Sequence, residues 1–242
     1  MNDFLLIIPV RYNSTRLPGK PLIEINGVPM FVRTFIQCNK AVDKSKILVA
    51  TDDKRIEKEC KKRGINCIIT SKKCLTGTDR VAEVSKKIKR DFYINVQGDE
   101  PLCNPLDIIK IINYAKKNPN EIINGYTSII NKKNFYSPNI PKLIFDKNEY
   151  LIYMSRAPIP SNKKNLFIRS WRQVCIYSFP HNSLKSFFSK RKTPLESIED
   201  LEILRFLELG YKVKMLKMTN TSISVDTKDD LKLVRKLFKS YN

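Results

Sequence analysis

A loop rich in cations follows the first apolar segment of the chain. The sequence P-V-R-Y-N-S-T-R-L-P-G-K at 9–20 contains Arg11, Arg16 and Lys20 together with hydroxyl and amide side chains. Guanidinium forks and a point-charge ammonium on one short loop suit a polyphosphate, which needs both kinds of partner. The loop has neither the Walker A spacing nor G-x-G-x-x-G. A solvated surface loop would carry the same charges, so charge and position alone leave the two interpretations balanced.

Carboxylates stand directly after two strand-like segments. Asp99 and Glu100 follow an apolar stretch in N-V-Q-G-D-E-P, and Asp226 stands in S-V-D-T-K-D-D. Carboxylates presented at strand ends are the usual ligands for Mg²⁺ that also contacts phosphate oxygens. The alternative is structural: Asp99 and Glu100 precede a helix whose dipole they would favour, and Asp226 or Thr227 could cap the last helix.

Three further segments carry polar groups that suit ligand binding. The sequence T-G-T-D-R around Thr78 offers N–H groups and hydroxyls to a base or phosphate, although Thr78 could simply cap a helix. Arg156 in S-R-A-P-I-P suits either a carboxylate ligand or a structural ion pair. The acidic run P-L-E-S-I-E-D-L-E favours a capped helix start in which Arg205 pairs with Glu202.

The composition excludes several kinds of chemistry. The 242-residue chain is 42% hydrophobic, has a formal charge of +21 and contains one histidine, His181, so a His-cluster or two-His zinc site is excluded. Its six cysteines form no C-x-x-C pair, which favours reduced thiols in a cytosolic protein. The apolar run at 4–10 is too short to span a membrane. The positive charge would suit a nucleic acid, but no RNA- or DNA-binding motif accompanies it, and Lys pairs typical of solvated helix faces supply most of the excess.

The elements that must position these residues alternate along the first half of the chain. Strands are predicted at 4–9, 46–51, 66–70 and 92–96, and helices at about 29–39, 53–63, 79–90 and from 105 onwards. This alternation predicts a mostly parallel sheet covered by helices on both faces. Ligands bind beyond the carboxyl ends of such strands, where the cationic loop and Asp99 stand.

The alternation ends near residue 125. Strands at 126–130, 142–145, 149–154 and 174–179, with a turn at 146–148, predict a mixed or antiparallel extension beside the parallel core. Helices at about 181–189, 196–209 and 228–240 and a strand at 213–217 complete the chain. We therefore predict one domain, 1–242, with an inserted lobe at about 125–190.

Seven segments form one pattern when they are taken in order. They are I-I-P-V-R-Y-N-S-T-R-L-P-G-K-P-L at 7–22, V-A-T-D-D at 49–53, T-G-T-D-R-V-A-E-V at 76–84, N-V-Q-G-D-E-P-L at 95–102, S-R-A-P-I-P at 155–160, P-L-E-S-I-E at 194–199 and V-D-T-K-D-D-L at 225–231. The pattern resembles the 3-deoxy-manno-octulosonate (Kdo) cytidylyltransferases over nearly the whole chain. The resemblance implies a Rossmann-like α/β fold of the nucleotide-diphospho-sugar transferase type. It also implies a cytoplasmic homodimer that forms through a smaller mixed-sheet lobe.

The resemblance further implies a reaction and roles in it. The anomeric 2-hydroxyl of a sugar acid attacks the α-phosphate of CTP, which gives a CMP-sugar and pyrophosphate. Mg²⁺ held by Asp99 and Asp226 would position the reactants, lower the pKa of the hydroxyl and neutralise phosphate charge. The catalytic residues would be Arg11, Lys20 and Asp99. The residues that bind CTP would be Arg11, Arg16, Lys20, Ala50, Asp52, Thr76, Gly77, Thr78, Arg80 and Gln97.

The chain departs from the family pattern in the sugar pocket. That pocket would comprise Gln97, Arg156, Gln173, Tyr177, Glu196 and Glu199, with Arg156 on the sugar carboxylate. Where the family commonly has R-H-x-G-x-Y, this chain has R-Q-V-C-I-Y, so Gln173 replaces a sugar-contacting His and Cys175 replaces a Gly. Ser197 stands where His is frequent. Glutamine can form hydrogen bonds but cannot carry charge, so the contact with the sugar differs.

The expected partners are therefore CTP and a 3-deoxy-2-ulosonic acid, and neither a nucleic acid nor a membrane. Kdo is the leading substrate, an amino-substituted Kdo or another ulosonic acid is the alternative, and lipopolysaccharide or capsule synthesis is the expected use. Two other classes stay open: a nucleic-acid-binding protein, whose binding would depend on salt, and a glycosyltransferase that consumes a nucleotide sugar rather than CTP.

Overall fold

The computed structural model describes residues 3–14 and 16–240, so Thr15 of the cationic loop lies outside the described residues. The strands are β1 (Phe4–Val10), β2 (Glu24–Ile25), β3 (Val28–Pro29), β4 (Ile47–Thr51), β5 (Cys67–Ile69), β6 (Phe92–Val96), β7 (Ile122–Ser128), β8 (Lys142–Phe145), β9 (Leu151–Ser155), β10 (Trp171–Pro180) and β11 (Val213–Lys217). The helices are α1 (Met30–Ala41), α2 (Lys54–Lys62), α3 (Gly77–Lys87), α4 (Pro105–Lys117), α5 (Lys132–Tyr136), α6 (His181–Ser189), α7 (Pro194–Glu199), α8 (Ile203–Glu208) and α9 (Lys228–Ser240).

One sheet runs through the centre of the molecule, in the order β11-β7-β10-β6-β1-β4-β5. Strand β1 is parallel to β4 and β6, β4 is parallel to β5, and β11 is parallel to β7. Strand β10 runs antiparallel between β6 and β7. The prediction of a mostly parallel α/β sheet is confirmed.

Two of the strands within the predicted lobe, β7 and β10, are part of this central sheet. The hairpin of β8 and β9 extends from it, because β8 pairs with both β9 and β10. The predicted turn closes this hairpin, with Glu149 N donating to Asp146 O at 2.9 Å. Strands β2 and β3 form a separate two-stranded sheet.

Apolar side chains cover both faces of the sheet. Helices α1, α2 and α4 bury Phe31, Ile56 and Ile108 on one face. Helices α3 and α6 bury Val81 and Phe187 on the other. Burial on both faces explains why β1, β4 and β6 read as continuous apolar runs rather than as alternating ones.

Several predicted boundaries are wrong, and the strand predicted at 126–130 is β7, Ile122–Ser128. The helix predicted at 196–209 is two helices, α7 and α8, because Asp200 adopts a left-handed conformation with φ 49° and ends the first. Helix α3 begins at Gly77 rather than near residue 79, and its N-cap is Thr76 rather than Thr78. Thr76 Oγ1 accepts from Asp79 N, and the Asp79 carboxylate accepts from Thr76 N, which is a reciprocal capping box.

Among the described residues, the helices are all too short or too polar to cross a lipid bilayer.

Candidate active site

The carboxyl ends of the parallel strands gather the predicted residues at one edge of the sheet. Arg11 follows β1, Asp52 follows β4 and Gln97 follows β6, while Ala50 is a buried residue within β4. A cleft of about 330 Å³ is lined by Arg11, Tyr12, Asn13, Ser14, Pro18 and Gly19. The loop predicted to hold a polyphosphate therefore forms a wall of a cleft at the strand ends.

A small apolar cluster anchors this loop to the C-terminal part of the chain. Leu17 is buried with Met30, Val225 and Val234. The backbone of Val225 is also tied to the end of β6, because its N–H donates to Asp99 O at 3.0 Å. The cationic loop, the end of β6 and helix α9 therefore meet at one place, next to Lys20, Asp99 and Asp226.

Lys20 lies between the two carboxylates predicted to bind metal. Its Nζ is 2.5 Å from Asp99 Oδ2 and 3.2 Å from Asp226 Oδ1, and Arg16 also contacts Asp226 Oδ1 at 2.9 Å. Burial alone would lower the pKa of Lys20, but the two carboxylates outweigh it and hold this pKa above its ordinary value. The ammonium therefore stays charged at neutral pH, and the structure brings together residues that are 206 positions apart in sequence.

The capping alternative is confirmed for Thr227 and not for Asp226. Asp230 N donates to Thr227 Oγ1 and Thr227 N donates to Asp230 Oδ2 before helix α9. Helix α4 is capped by Asn104, whose Oδ1 accepts from Leu106 N at 2.9 Å. The carboxylates of Asp99 and Asp226 contact cations instead, namely Lys20 and Arg16.

The donor set at this point fits Mg²⁺. Two carboxylates converge on one positive charge, the ammonium of Lys20. Mg²⁺ in nucleotide enzymes is typically held by one or two carboxylates, with substrate phosphates and water completing the octahedron. Among residues 3–14 and 16–240, no cluster of three or more His, Cys, Asp or Glu suited to a metal is present. The remaining ligands would therefore have to come from phosphate and water.

Glu100, next to Asp99, is buried and does not face the cations. Ser222 Oγ donates to Glu100 Oε2, and Arg172 donates to Ser222 O at 2.8 Å. Burial, followed by the charge of Asp99, raises the pKa of Glu100 to about 7. Of the acidic pair Asp99 and Glu100, only Asp99 is therefore placed against Lys20.

Two features shape the cationic loop. Gly19 adopts φ +66°, which favours glycine, and a Cβ there would stand 3.1 Å from the Tyr12 hydroxyl. The Tyr12 ring also contacts Arg55, whose guanidinium carbon lies 3.3 Å from the ring centroid. Arg11 leaves this loop and donates to Leu75 O at 3.1 Å, which connects it to the loop before α3.

The residues predicted to border cytidine surround the start of α3. Arg80 is almost fully buried, lies 3.2 Å from Asp52 and also contacts Thr70 Oγ1. Thr76 caps the helix, while the Oγ1 atom of Thr78 is buried with no hydrogen-bond partner among the described residues. The predicted set is therefore brought together, with Arg80 and Asp52 acting as a buried ion pair beneath the helix start.

Glu202 is a site residue that sequence reasoning missed. Its Oε2 accepts from Thr78 N at 2.7 Å and its Oε1 accepts from Gln97 Nε2 at 3.1 Å. Burial raises the pKa of this carboxyl. Gly77 permits the contact, because a Cβ there would stand 2.6 Å from Gln97 Nε2. Glu202 thus joins the start of α3, which is predicted to border cytidine, to Gln97, which is predicted to contact both CTP and the sugar.

Arg156 and Glu199, both predicted to bind sugar, are joined to each other. Arg156 N donates to Glu199 Oε2 at 2.8 Å, and Ser155 Oγ donates to Glu199 Oε1 at 2.5 Å. The Arg156 guanidinium donates to the main-chain oxygens of Glu199, Asp200 and Pro138 at 2.7, 3.1 and 3.0 Å. Within the described part of the chain, the guanidinium is therefore held in place by main-chain oxygens and not by a structural ion pair.

Glu196 has a different place from the one predicted. It is fully buried, and its two oxygens accept from Arg205 Nε and Nη2 at 2.6 and 2.7 Å. Arg205 also reaches Asp79 at 3.0 Å. The expected Arg205–Glu202 pair is thus wrong, and Glu196 is engaged in a buried bidentate pair rather than presented to the cleft. Residue spacing on a single helix could not predict this pair, because the helix ends at Asp200 and a second helix follows.

The remaining sugar-pocket candidates lie on β10. Gln173 donates through Nε2 to Asn124 Oδ1 at 2.9 Å. Tyr177 is buried, and burial raises its pKa well above the ordinary value, with contributions from Cys175 and Glu202. Cys175 O accepts from Gln97 N at 3.3 Å, so β10 is attached to the end of β6 at the site.

The fold and site agree with a known family. A family model described as cytidylyltransferase matches residues 5–216, and this chain belongs to that family. Its relatives include a 3-deoxy-manno-octulosonate cytidylyltransferase from Fusobacterium nucleatum, 41% identical over 99% of this chain and 98% of that protein. An 8-amino-3,8-dideoxy-manno-octulosonate cytidylyltransferase from a Shewanella species is 36% identical over 95% of this chain and 96% of that protein.

A solved structure is also similar. A CMP:2-keto-3-deoxy-manno-octonic acid synthetase complexed with CTP has a TM-score of 0.90 and 31% identity, and the match covers 99% of each chain. The resemblance stated from the sequence motifs is therefore confirmed, as is the fold class.

Proposed function

We propose that this cytidylyltransferase couples CTP to Kdo, a 3-deoxy-2-ulosonic acid, and releases CMP-Kdo and pyrophosphate. The observation that carries the proposal is the convergence of Lys20 on Asp99 and Asp226 beside the cleft, with Arg16 also in contact with Asp226. When a triphosphate enters the cleft, Lys20 and Arg16 can exchange their contacts with these carboxylates for contacts with phosphate oxygens. The choice of Kdo is supported by the sugar acid that the relatives' names give as their substrate.

The reaction forms a bond between the sugar's 2-oxygen and the α-phosphorus, breaks the bond from that phosphorus to the bridging oxygen of pyrophosphate, and releases the hydroxyl proton to solvent. Arg11, Arg16 and Lys20 bind the triphosphate and stabilise the negative charge that develops on the leaving pyrophosphate. Bound between Asp99 and Asp226, Mg²⁺ would neutralise phosphate charge and make the sugar hydroxyl more acidic. Positioning of two substrates in line supplies the rest of the rate enhancement.

The sugar acid is proposed to lie along Gln97, Gln173 and Tyr177, with its carboxylate at Arg156. The guanidinium is already oriented by three backbone oxygens, so binding a carboxylate costs little reorganisation. An amino-substituted Kdo is the second candidate. Two observations favour testing the amino-substituted sugar. Gln173 stands where the family commonly has His, and one relative is named for the 8-amino sugar.

The proposed active species is a cytoplasmic homodimer that supplies activated sugar acid for lipopolysaccharide or other surface polysaccharide. Large apolar side chains support an interface on the predicted lobe, since Ile130, Ile152 and Ile168 are 73%, 57% and 78% exposed. In sedimentation equilibrium, Ile168→Glu should shift the protein toward monomer. Ile198→Glu, equally exposed but outside the lobe, should not. A parent protein of 28.2 kDa in solution would refute the dimer.

Pyrophosphate release from CTP tests the function. The purified protein is assayed with Mg²⁺ and a panel that contains Kdo, 8-amino-3,8-dideoxy-Kdo and a sialic acid. We expect release with Kdo and little with sialic acid. Release only with the amino sugar would select the second candidate, and silence with every acid would refute the proposal.

A further inference from the structure

Strand β10 carries a bulge opposite β7. The register pairs Val174 with Gly125 but then pairs Tyr177 with Asn124, so Cys175 and Ile176 are left without partners on β7. A bulge bends its strand and redirects neighbouring side chains, and bulges are frequent beside active sites. Here the bulge lies between two predicted sugar-pocket residues, Gln173 and Tyr177.

Asn124 fills this bulge. It is fully buried, and its Nδ2 donates to Val174 O at 3.0 Å and to Ile176 O at 3.1 Å. These are main-chain oxygens on either side of Cys175, whose own oxygen accepts from Gln97 N. Asn124 therefore fixes the backbone that connects β10 to the end of β6.

The same side chain determines the orientation of the Gln173 amide. Because both hydrogens of Asn124 Nδ2 are committed to carbonyls, the atom that faces Gln173 is Asn124 Oδ1, which can only accept. Gln173 Nε2 must then be the donor, at 2.9 Å. These hydrogen bonds fix the positions of the oxygen and nitrogen atoms in both side-chain amides. Gln173 Oε1 is left to accept a further hydrogen bond.

Gln173 belongs to the face of β10 that carries the sugar-pocket candidates. Its neighbours at alternate positions, Trp171 and Cys175, pack with the same apolar cluster as Tyr177. Tyr177 in turn lies close enough to Glu202 for that carboxylate to contribute to its raised pKa. The amide held by Asn124 is thus on the side of the sheet where Glu202 meets Gln97.

We propose that Asn124 is a positioning residue for the sugar acid: it holds the Gln173 amide so that Oε1 accepts a hydrogen bond from a hydroxyl or ammonium group of the substrate. The proposal rests on the proposed function, because it needs a sugar acid in this pocket. It assigns position 173 a selectivity for a hydrogen-bond donor on the sugar. It also makes Asn124 act through Gln173 and not by contact with substrate.

A double-mutant cycle tests this assignment. KM and kcat are measured with Kdo varied and with CTP varied for the parent, Asn124→Ala, Gln173→Ala and the double variant. One lost neutral hydrogen bond predicts a rise in KM for Kdo of about three- to tenfold in each single variant. KM for CTP should stay within about twofold, because a neutral bond on the sugar side is not made to the nucleotide. In the Gln173→Ala background, Asn124→Ala should raise KM for Kdo no further.

Ser178→Ala is the matched control, since Ser178 is a buried residue of β10 whose hydroxyl has no partner among the described residues. It should leave both KM values unchanged. If Asn124→Ala fails to fold, Asn124→Ser replaces it, because a hydroxyl still donates to one bulge carbonyl. Thermal unfolding of each variant identifies that case.

The outcomes separate the proposals. Equal KM for Kdo in Gln173→Ala and the parent would overturn the inference whichever Asn124 variant folds. Additive effects in the cycle, or equal rises in KM for CTP and Kdo, would show that Asn124 only stabilises the bulge. A parent that is inactive with every sugar acid would refute the proposed function instead.

Discussion

The two sides of the site hold their charges in different ways. On the nucleotide side, formed by the cationic loop with Asp99 and Asp226, the ion pairs are partly open: the side chains of Arg16 and Asp226 are 49% and 23% exposed. On the sugar side, formed by β7–β10 with α7 and α8, Arg205 and Glu196 are 2% and 1% exposed. Open pairs can exchange partners when a phosphate arrives, whereas buried bidentate pairs keep one geometry.

This contrast suggests a division of labour. In the proposed reaction, the nucleotide side would change its contacts, because Lys20 and Arg16, which contact Asp226, would also have to contact phosphate. The sugar side is preorganised, because Arg156 and Glu199 are already held by backbone and by each other. If the proposed function holds, the site combines ion pairs that can exchange partners, for the triphosphate, with a rigid frame for the sugar acid.

The largest effect is expected at Asp99, on the nucleotide side. Asp99→Asn keeps the shape of the side chain but removes a charge that faces Lys20 at 2.5 Å. Loss of a preorganised group at the reacting phosphate should lower kcat by about a thousandfold. Pyrophosphate release measures the effect, and circular dichroism checks that the fold is kept.

Asp229→Asn is the matched control for that variant. Asp229 is a nearby acid on α9 whose side chain is 93% exposed, so its removal should leave kcat unchanged. Activity of Asp99→Asn at the parent level, in the presence of saturating Mg²⁺, would contradict the role assigned to Asp99.

A smaller effect is expected at Glu202, which joins the two sides. In Glu202→Gln one amide oxygen can still accept from Gln97 Nε2, but the other position becomes an NH₂ that faces Thr78 N. An unpaired buried donor predicts a loss of about tenfold in kcat/KM for both substrates. Steady-state kinetics with each substrate varied would measure it.

Glu208→Gln serves as the comparison, since Glu208 accepts from the backbone N–H groups of Leu195 and Glu196 instead. It should leave both KM values close to those of the parent. A Glu202→Gln variant that weakens only one substrate would show that Glu202 belongs to one side and does not couple the two.

The last prediction concerns stability on the sugar side rather than activity. Lys142 is buried and donates to Ser137 O at 2.8 Å and to Arg156 O, so it links the loops around Arg156. Burial, followed by the charge of Arg156 and opposed by Glu199, lowers the pKa of Lys142 to about 8 from its ordinary 10.5. Between these pH values the unfolded chain binds more protons than the folded chain, so this group makes stability rise with pH.

Lys142→Met removes that pH dependence. The free energy of unfolding of the parent minus that of the variant should therefore be larger at pH 10 than at pH 7.5. The other lysines are present in both proteins, so their contributions cancel in this difference. Urea titrations at both pH values measure it. A difference that is constant or that shrinks with pH would show that the pKa of Lys142 is not lowered in the folded protein.

The positions of residues that follow a strand could be predicted from the sequence. Arg11 and Asp99 could be expected at the edge of the sheet because a short apolar run defines each strand, and parallel strands end at one edge of a sheet. The charged loop at 9–20 could likewise be placed beside them. Most of the sheet and the last helix followed from the same periodicity, with β8, β11 and α9 at the expected bounds.

Sequence reasoning failed where the partner is distant and the local pattern has a simpler explanation. Glu202 stands in an acidic run that suits a helix face, so its contact with Thr78, 124 residues away, leaves no local signal. Asn124 looks like an ordinary strand residue until the bulge in β10 is known. Thr76 and Thr78 are both acceptable caps, and only the reciprocal contact with Asp79 decides between them.

The most direct measurement is ³¹P NMR of CTP and Kdo turned over by the parent protein with Mg²⁺. We expect the three phosphate signals of CTP to be replaced by one phosphodiester signal, from CMP-Kdo, and by pyrophosphate in matching amount. Unchanged CTP would contradict the proposed coupling of CTP to Kdo. So would CMP and pyrophosphate without the phosphodiester, because the site would then hydrolyse CTP instead of coupling it to a sugar acid.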